Sequence, residues 1–407
     1  NDLPVASNLA LSVLSVKRND TAELFADGRD VEDKTMDLVP FFEWKSPNGD
    51  WTQLQGSYDG SRFTVSLPVP VTAGLGKADA RLCFADTMGA KGDWEYLNAS
   101  LELLNNAPTV IDLGTLRSTV TRGDSVTLVM NASDPETQMK ALAPVLEYRT
   151  LGGDWKAAPA NSSQFTNDRW EFLFEPDANT TVGLCDFRVS VKDTDGSRSE
   201  LLESDSMVDI QNSLPTMDYV KINRSKMARL DNATVTLLGM DLETRADSFD
   251  VEVRAKDSKG REQLTFTKNA KWANNSWEVR FSPPAGAALG KYDIEARVRD
   301  ADGGWSEWLA SPSKIDVTNN APRALFTGQN EAQEGDLVWF DASASRDAEN
   351  PSGDVTFTWN FGDGGIGSGQ KGSHVFKPGT FKVTLIITDK DGATATAEKS
   401  ITIKAKP

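Results

Sequence analysis

An Asn three residues ahead of a Pro recurs four times, at Asn1 and Pro4, Asn105 and Pro108, Asn212 and Pro215, and Asn319 and Pro322. The prolines stand 104, 107 and 107 residues apart. Each is followed 25 or 26 residues later by a D-x-E triplet: Asp30 and Glu32, Asp134 and Glu136, Asp241 and Glu243, Asp347 and Glu349. A D-x-D-G sequence then closes three of the units, at Asp193 and Asp195, Asp300 and Asp302, and Asp389 and Asp391, while the first unit has Asp86-Thr87-Met88-Gly89. Landmarks kept in register over this distance mark tandem copies of one unit. The spacing predicts four modules, 1–105, 106–212, 213–319 and 320–407.

Within a module the hydrophobic period is two. The stretch from Lys291 to Asp300 alternates apolar and polar residues, which describes a strand with one buried face. Alignment on the closing Asp gives four inward sets: Ala78, Ala80, Leu82 and Phe84; Cys185, Phe187, Val189 and Val191; Tyr292, Ile294, Ala296 and Val298; Phe381, Val383, Leu385 and Ile387. Cys83 falls on the opposite face. Tyr292, just after Gly290, stands where a tyrosine corner belongs, although an ordinary core aromatic fits the pattern as well. Trp44, Tyr148 and Trp359 read as the aromatic that fills the centre of a sandwich. Short strands, turns rich in Gly, Asn, Asp and Pro, and no long helical period give the class: all-β, four tandem Ig-like β-sandwich domains in an extended array.

Inventory narrows the chemistry. The 407 residues carry a formal charge of −17, which disfavours nucleic acid and anionic lipid as partners and favours cations. No stretch approaches the roughly 18 apolar residues of a spanning helix, so direct membrane insertion is not expected of this segment. The one histidine, His374, forbids a His-based triad or a zinc cluster. Carboxylate pairs, which a glycosidase could use, recur in every module as scaffold features do. The expectation is a chain that is not an enzyme. Cys83 and Cys185 lie in different modules at unmatched positions and are expected to be free. The chain begins without Met, as a mature or excised piece of a longer protein does. Sequons at Asn19, Asn98, Asn131, Asn161, Asn179, Asn223, Asn232 and Asn274 fit an exported glycoprotein, or chance in a chain rich in Asn, Ser and Thr. Trp305 and Trp308, with Trp94 aligned to the latter, form either an exposed strip for stacking on a glycan or part of the strand packing.

The fourth module resembles the PKD domain, named for polycystic kidney disease. The resemblance is carried by Trp359-Asn360-Phe361-Gly362-Asp363-Gly364, by His374-Val375-Phe376 with Pro378-Gly379-Thr380-Phe381, and by Asp389-Lys390-Asp391-Gly392. It covers 322–407, with Phe381 where the family usually has Tyr. Modules one to three are similar to Ig-like or cadherin-like repeats of surface proteins. The resemblance implies an extracellular or cell-surface spacer or adhesive segment, with other surface proteins or extracellular polymers as partners. Its rival is an accessory polymer-binding region of a larger secreted hydrolase.

In an Ig-like sandwich the D-x-E and D-x-D-G loops fall at the end where the chain enters, so both meet the Asn-x-x-Pro linker. Two readings stay open. Asp, Asn and Gly are ordinary turn formers. Crowded carboxylates with Asn oxygens also suit calcium, which takes six to eight hard oxygen ligands. On the second reading the ligands are Asn105, Asp134, Glu136, Asp193 and Asp195; Asn212, Asp241, Glu243, Asp300 and Asp302; Asn319, Asp347, Glu349, Asp389 and Asp391. Module one, with Met88 at the second Asp position, is the weakest candidate.

Overall fold

The computed structural model describes residues 1–159, 162–266, 269–350 and 354–406; the Asn161 sequon lies outside the described residues. The chain divides into two compact units, Asn1–Gln211 and Asn212–Pro407.

Each unit contains two β-sandwiches built to one plan. In module 3, Thr216–Ile222, Ala233–Met240, Ser276–Phe281 and Ala270–Ala273 form one sheet in that order. The facing sheet runs Lys226–Ala228, Ile315–Thr318, Gly290–Arg299, Asp250–Asp257 and Glu262–Phe266, with Leu309–Ala310 also paired to Gly290–Arg299. The chain therefore enters on one sheet and crosses to the other, where Lys226–Ala228 pairs in parallel with the last strand of the module. The crossing brings residue 229 beside the departing linker, with the Arg229 N–H donating to Thr318 O at 3.0 Å. Modules 1 and 2 repeat this arrangement, and in module 4 the first sheet has three strands, Thr327–Gly328, Leu337–Asp341 and Lys371–Val375. The helical pieces Thr35–Asp37, Met139–Ala141 and Ala246–Ser248 are single 3-10 turns that follow the D-x-E loops of modules 1 to 3.

The alternation read from sequence sets the core. The four inward sets are buried throughout, with only Phe381 partly exposed. Phe381 stacks on Phe376 with ring centroids 5.2 Å apart, so loss of the family's usual hydroxyl leaves an aromatic plug in place. Tyr292 is a tyrosine corner, its hydroxyl donating to Ala288 O at 2.7 Å. Burial outweighs the favourable contacts and raises the pKa of this phenol. Trp170 and Trp277 tie their sheets to the 3-10 turns, donating to Met139 O at 3.0 Å and Ala246 O at 2.8 Å. Both cysteines are free. Burial pushes the Cys185 thiol up to about 12. Cys83 departs from the simple alternation: it lies on the face opposite the core set, yet is only 1% exposed.

Trp305 and Trp308 form no open aromatic strip. The Arg297 guanidinium stands 4.2 Å from the Trp305 ring and 4.5 Å from Trp308, and Arg254 covers Trp308 at 3.7 Å. Arg81 lies in the same way over Trp51 and Trp94, both at 4.2 Å. These cation–π stacks keep the outer faces of the sheets covered by interleaved arginine and tryptophan.

Candidate functional site

Each D-x-E triplet forms a turn in which the Asp caps the backbone ahead of it. In module 4, Asp347 Oδ1 accepts from the N–H groups of Glu349 and Asn350, both at 2.8 Å. Asp134 Oδ1 does the same for Glu136 and Thr137, at 2.9 and 2.6 Å, and Asp241 Oδ1 for Glu243 and Thr244, at 2.9 and 2.7 Å. The first Asp of the closing loop behaves likewise: Asp193 Oδ1 caps Gly196 and Ser197, Asp300 Oδ1 caps Gly304, and Asp389 Oδ1 caps Asp391 and Ala393. The motif Gly is required because Gly196, Gly303 and Gly392 adopt φ of +102°, +93° and +89°. Turn formation therefore uses one oxygen of each of these carboxylates.

The linker meets the second oxygens of the closing-loop aspartates. Asn105, Asn212 and Asn319 donate through Nδ2 to Asp193, Asp300 and Asp389 Oδ2, at 2.6, 2.7 and 2.6 Å. The next residue reaches the D-x-E glutamate: Asn106 Nδ2 donates to Glu136 Oε1 at 2.6 Å, the Ser213 N–H to Glu243 Oε1 at 3.3 Å, and the Asn320 N–H to Glu349 Oε1 at 2.7 Å. Gly304 keeps room for the Asn212–Asp300 bond, since a Cβ there would stand 2.6 Å from Asn212 Nδ2. Of the remaining candidates, Asp302 lies exposed on its turn, and Asp195 and Asp391 meet a residue that the sequence reading missed.

That residue is an arginine of the preceding module. Arg229 donates through Nη1 to Glu349 Oε2 and to Asp391 Oδ2, each at 2.6 Å, with side-chain exposures of 5% for the Arg, 0% for Glu349 and 20% for Asp391. Its Nε donates to Ala287 O at 2.7 Å, and its own carbonyl accepts from Asn320 Nδ2 at 2.6 Å. Burial works against its charge, but the hydrogen bonds to Asp391 and Glu349 win and the pKa is raised. Arg18 is the counterpart between modules 1 and 2, with Nε on Ala73 O at 2.7 Å and Nη1 on Asp195 Oδ2 at 2.6 Å. Arg122 has the same local anchor, Nε to Thr180 O at 2.6 Å. A signal existed in the sequence, because Arg18, Arg122 and Arg229 each stand 14 residues after the linker proline.

Several oxygens at these ends are buried and accept no hydrogen bond: Asp30 Oδ2, Asp134 Oδ2, Glu136 Oε2, Asn212 Oδ1, Asp241 Oδ2 and Asp347 Oδ2. Among the described residues, no three carboxylate, imidazole or thiol groups are drawn together as a closed metal cage. The linker amides and the guanidinium hold the other oxygens of the cluster in its place.

Tandem all-β modules with Ig-like sandwiches define the class of this chain. The family model for the PKD domain matches residues 319–404, and that segment is a PKD domain. The same part is similar to the microbial collagenase of Vibrio alginolyticus, 35% identical over 91 residues, which are 22% of this chain and 11% of the relative. It is also similar to collagenase ColQ1 of Bacillus cereus (strain Q1), 29% identical over 93 residues, or 23% of this chain and 9% of the relative. The chain thus spans about a tenth of the length of these relatives. Among solved structures, a tetra-tandem repeat from the extending region of a large adhesion protein aligns over 98% of this chain and 100% of its own, at 15% identity and a TM-score of 0.42.

Proposed function

We propose that the chain is a non-catalytic extracellular or cell-surface spacer, made of modules 1–105, 106–212, 213–319 and 320–407, whose linker ends are stiffened by calcium. The supporting observation is the set of buried oxygens without donors where linker, D-x-E loop and closing loop meet. Leaving such an acceptor unpaired costs about 1–3 kcal/mol, and more when it is charged. A hard divalent cation removes that cost for several carboxylates at once. The first ligands would be Asp134 Oδ2 and Glu136 Oε2 in module 2, Asn212 Oδ1 of the linker with Asp241 Oδ2 at the entry to module 3, and Asp347 Oδ2 in module 4, with water and other cluster oxygens completing the shell. Binding to the folded form alone raises stability by mass action. The test is thermal unfolding in calcium and in EGTA, with Asp134→Asn and Asp241→Asn as variants. The reading expects a midpoint that rises with calcium and a smaller rise in each variant; identical midpoints in calcium and EGTA overturn it.

A second reading, an accessory polymer-binding region of a secreted hydrolase, draws on module 4. There Leu337, Trp339 and Val375 face outward at 49%, 58% and 50% exposure. Trp339 borders a groove of about 390 Å³ lined also by Thr327, Gln329, Asp341 and Lys371. An open indole beside paired polar groups suits stacking on a polymer chain. Retention of the chain on insoluble collagen or chitin, lost in Trp339→Ala, favours this reading; no retention on either removes it.

A further inference from the structure

The arginine latch goes beyond the calcium reading while resting on the same modular ends. The guanidinium of Arg229 neutralises two carboxylates of the following module from a position that is itself 5% exposed. Its Nε is fixed on Ala287 O of its own module, and its carbonyl accepts from Asn320 of the linker. The arginine recurs in each module that precedes another D-x-E module in this sequence. In module 4 the equivalent backbone position, marked by an N–H donated to the end of the last strand, is Glu334, whose N–H donates to Lys404 O at 2.9 Å. A positive side chain thus stands where the acidic cluster of module 4 must be met.

We propose that Arg229 is a built-in junction cation: it fastens module 3 to module 4 in fixed register without metal, by supplying to Glu349 and Asp391 the positive charge that an ion would otherwise bring. Little is left for an ion at this junction, where Asp347 Oδ2 is the one unpartnered oxygen among the described residues. Removing the charge by Arg229→Gln leaves Glu349, whose side chain is fully buried, without its cation and with only the Asn320 N–H on Oε1. A buried carboxylate without its partner destabilises the arrangement around it far more than loss of a surface ion pair does.

The experiment is amide hydrogen exchange on the full chain, in EGTA and in calcium, for the wild type, Arg229→Gln and Asp391→Asn. The reporters are the N–H groups of Asn320, bonded to Glu349 Oε1, and of Ala393, bonded to Asp389 Oδ1. In EGTA the wild type should protect both. Arg229→Gln should speed Asn320 exchange at least tenfold, while Glu136 and Thr137 of module 2 stay unchanged. Asp391→Asn, which removes one of the two carboxylate arms, should give a smaller rise and keeps the test valid if the Gln variant does not fold. Wild-type protection already lost in EGTA, or unchanged exchange at Asn320 in both variants, overturns the latch. Calcium-dependent protection at module 2 with no effect of Arg229→Gln leaves the calcium reading standing and the latch refuted; the reverse pattern refutes calcium alone.

Discussion

The junction between modules 1 and 2 and that between modules 3 and 4 use the same parts in different proportions. Arg229 binds two carboxylates and is almost wholly enclosed, whereas Arg18 binds one, Asp195, whose side chain is 31% exposed. Among the buried side-chain oxygens of the described residues the pattern is complementary: Asp134 Oδ2 and Glu136 Oε2 have no donor at the first junction, and Asp347 Oδ2 alone lacks one at the second. An acidic cluster can be compensated by a side chain or by an ion, and the more completely the side chain does so, the less an ion has to gain.

The largest effect should come from Arg229→Gln, about 3–5 kcal/mol against the docked state of module 4, read by exchange or by a shifted unfolding step. The matching Arg18→Gln should cost about 1 kcal/mol, because its partner is partly solvated. Equal effects of the two substitutions would erase the distinction between the junctions. Calcium should reverse the ranking: the stabilisation it gives should be larger for modules 1 and 2 than for module 4, measured as the calcium-dependent shift of each unfolding transition. Next to the Ala287 carbonyl that anchors Arg229, Tyr292→Phe removes the hydrogen bond to Ala288 O and should cost about 1 kcal/mol in module 3. Tyr292 also sets a pH dependence. Its folded pKa is raised, so its contribution is complete below the unfolded phenol value of about 10 and is lost as pH rises through the higher folded value. Alkaline titration should therefore weaken module 3 in the wild type more than in Tyr292→Phe. Smallest of all, both thiols should resist alkylation in the native chain and react once it is unfolded, since Cys185 is pushed up to about 12 and Cys83 is also raised by burial.

Much of this was legible because it is local. Period-two alternation settles the inward faces, and the turn-forming carboxylates act on N–H groups two to four residues away. The convergence of linker and loops followed from sandwich topology once the strands were placed. The arginine was not legible in that way, because its partners lie 120 and 162 residues further on, and charge pairing at such separation leaves no local pattern. The fixed interval after each proline was the available sign. Trp305 and Trp308 show the same limit. Their partners Arg254 and Arg297 come from two neighbouring strands, so the stacking is a property of the sheet and not of the Trp-Ser-Glu-Trp stretch. Cys83 is buried on a face that alternation assigns to solvent, because Phe41 lies opposite it on the paired strand and Lys91 covers that ring at 3.7 Å.

The central claim is that neighbouring modules are held in register at their linker ends. Pulsed dipolar distance measurement between spin labels at the exposed positions 291 in module 3 and 382 in module 4 tests it most directly. A narrow distance distribution in EGTA that broadens in Arg229→Gln, and narrows again only in part when calcium is added, is the predicted result. A broad distribution in the wild type under both conditions would contradict the account.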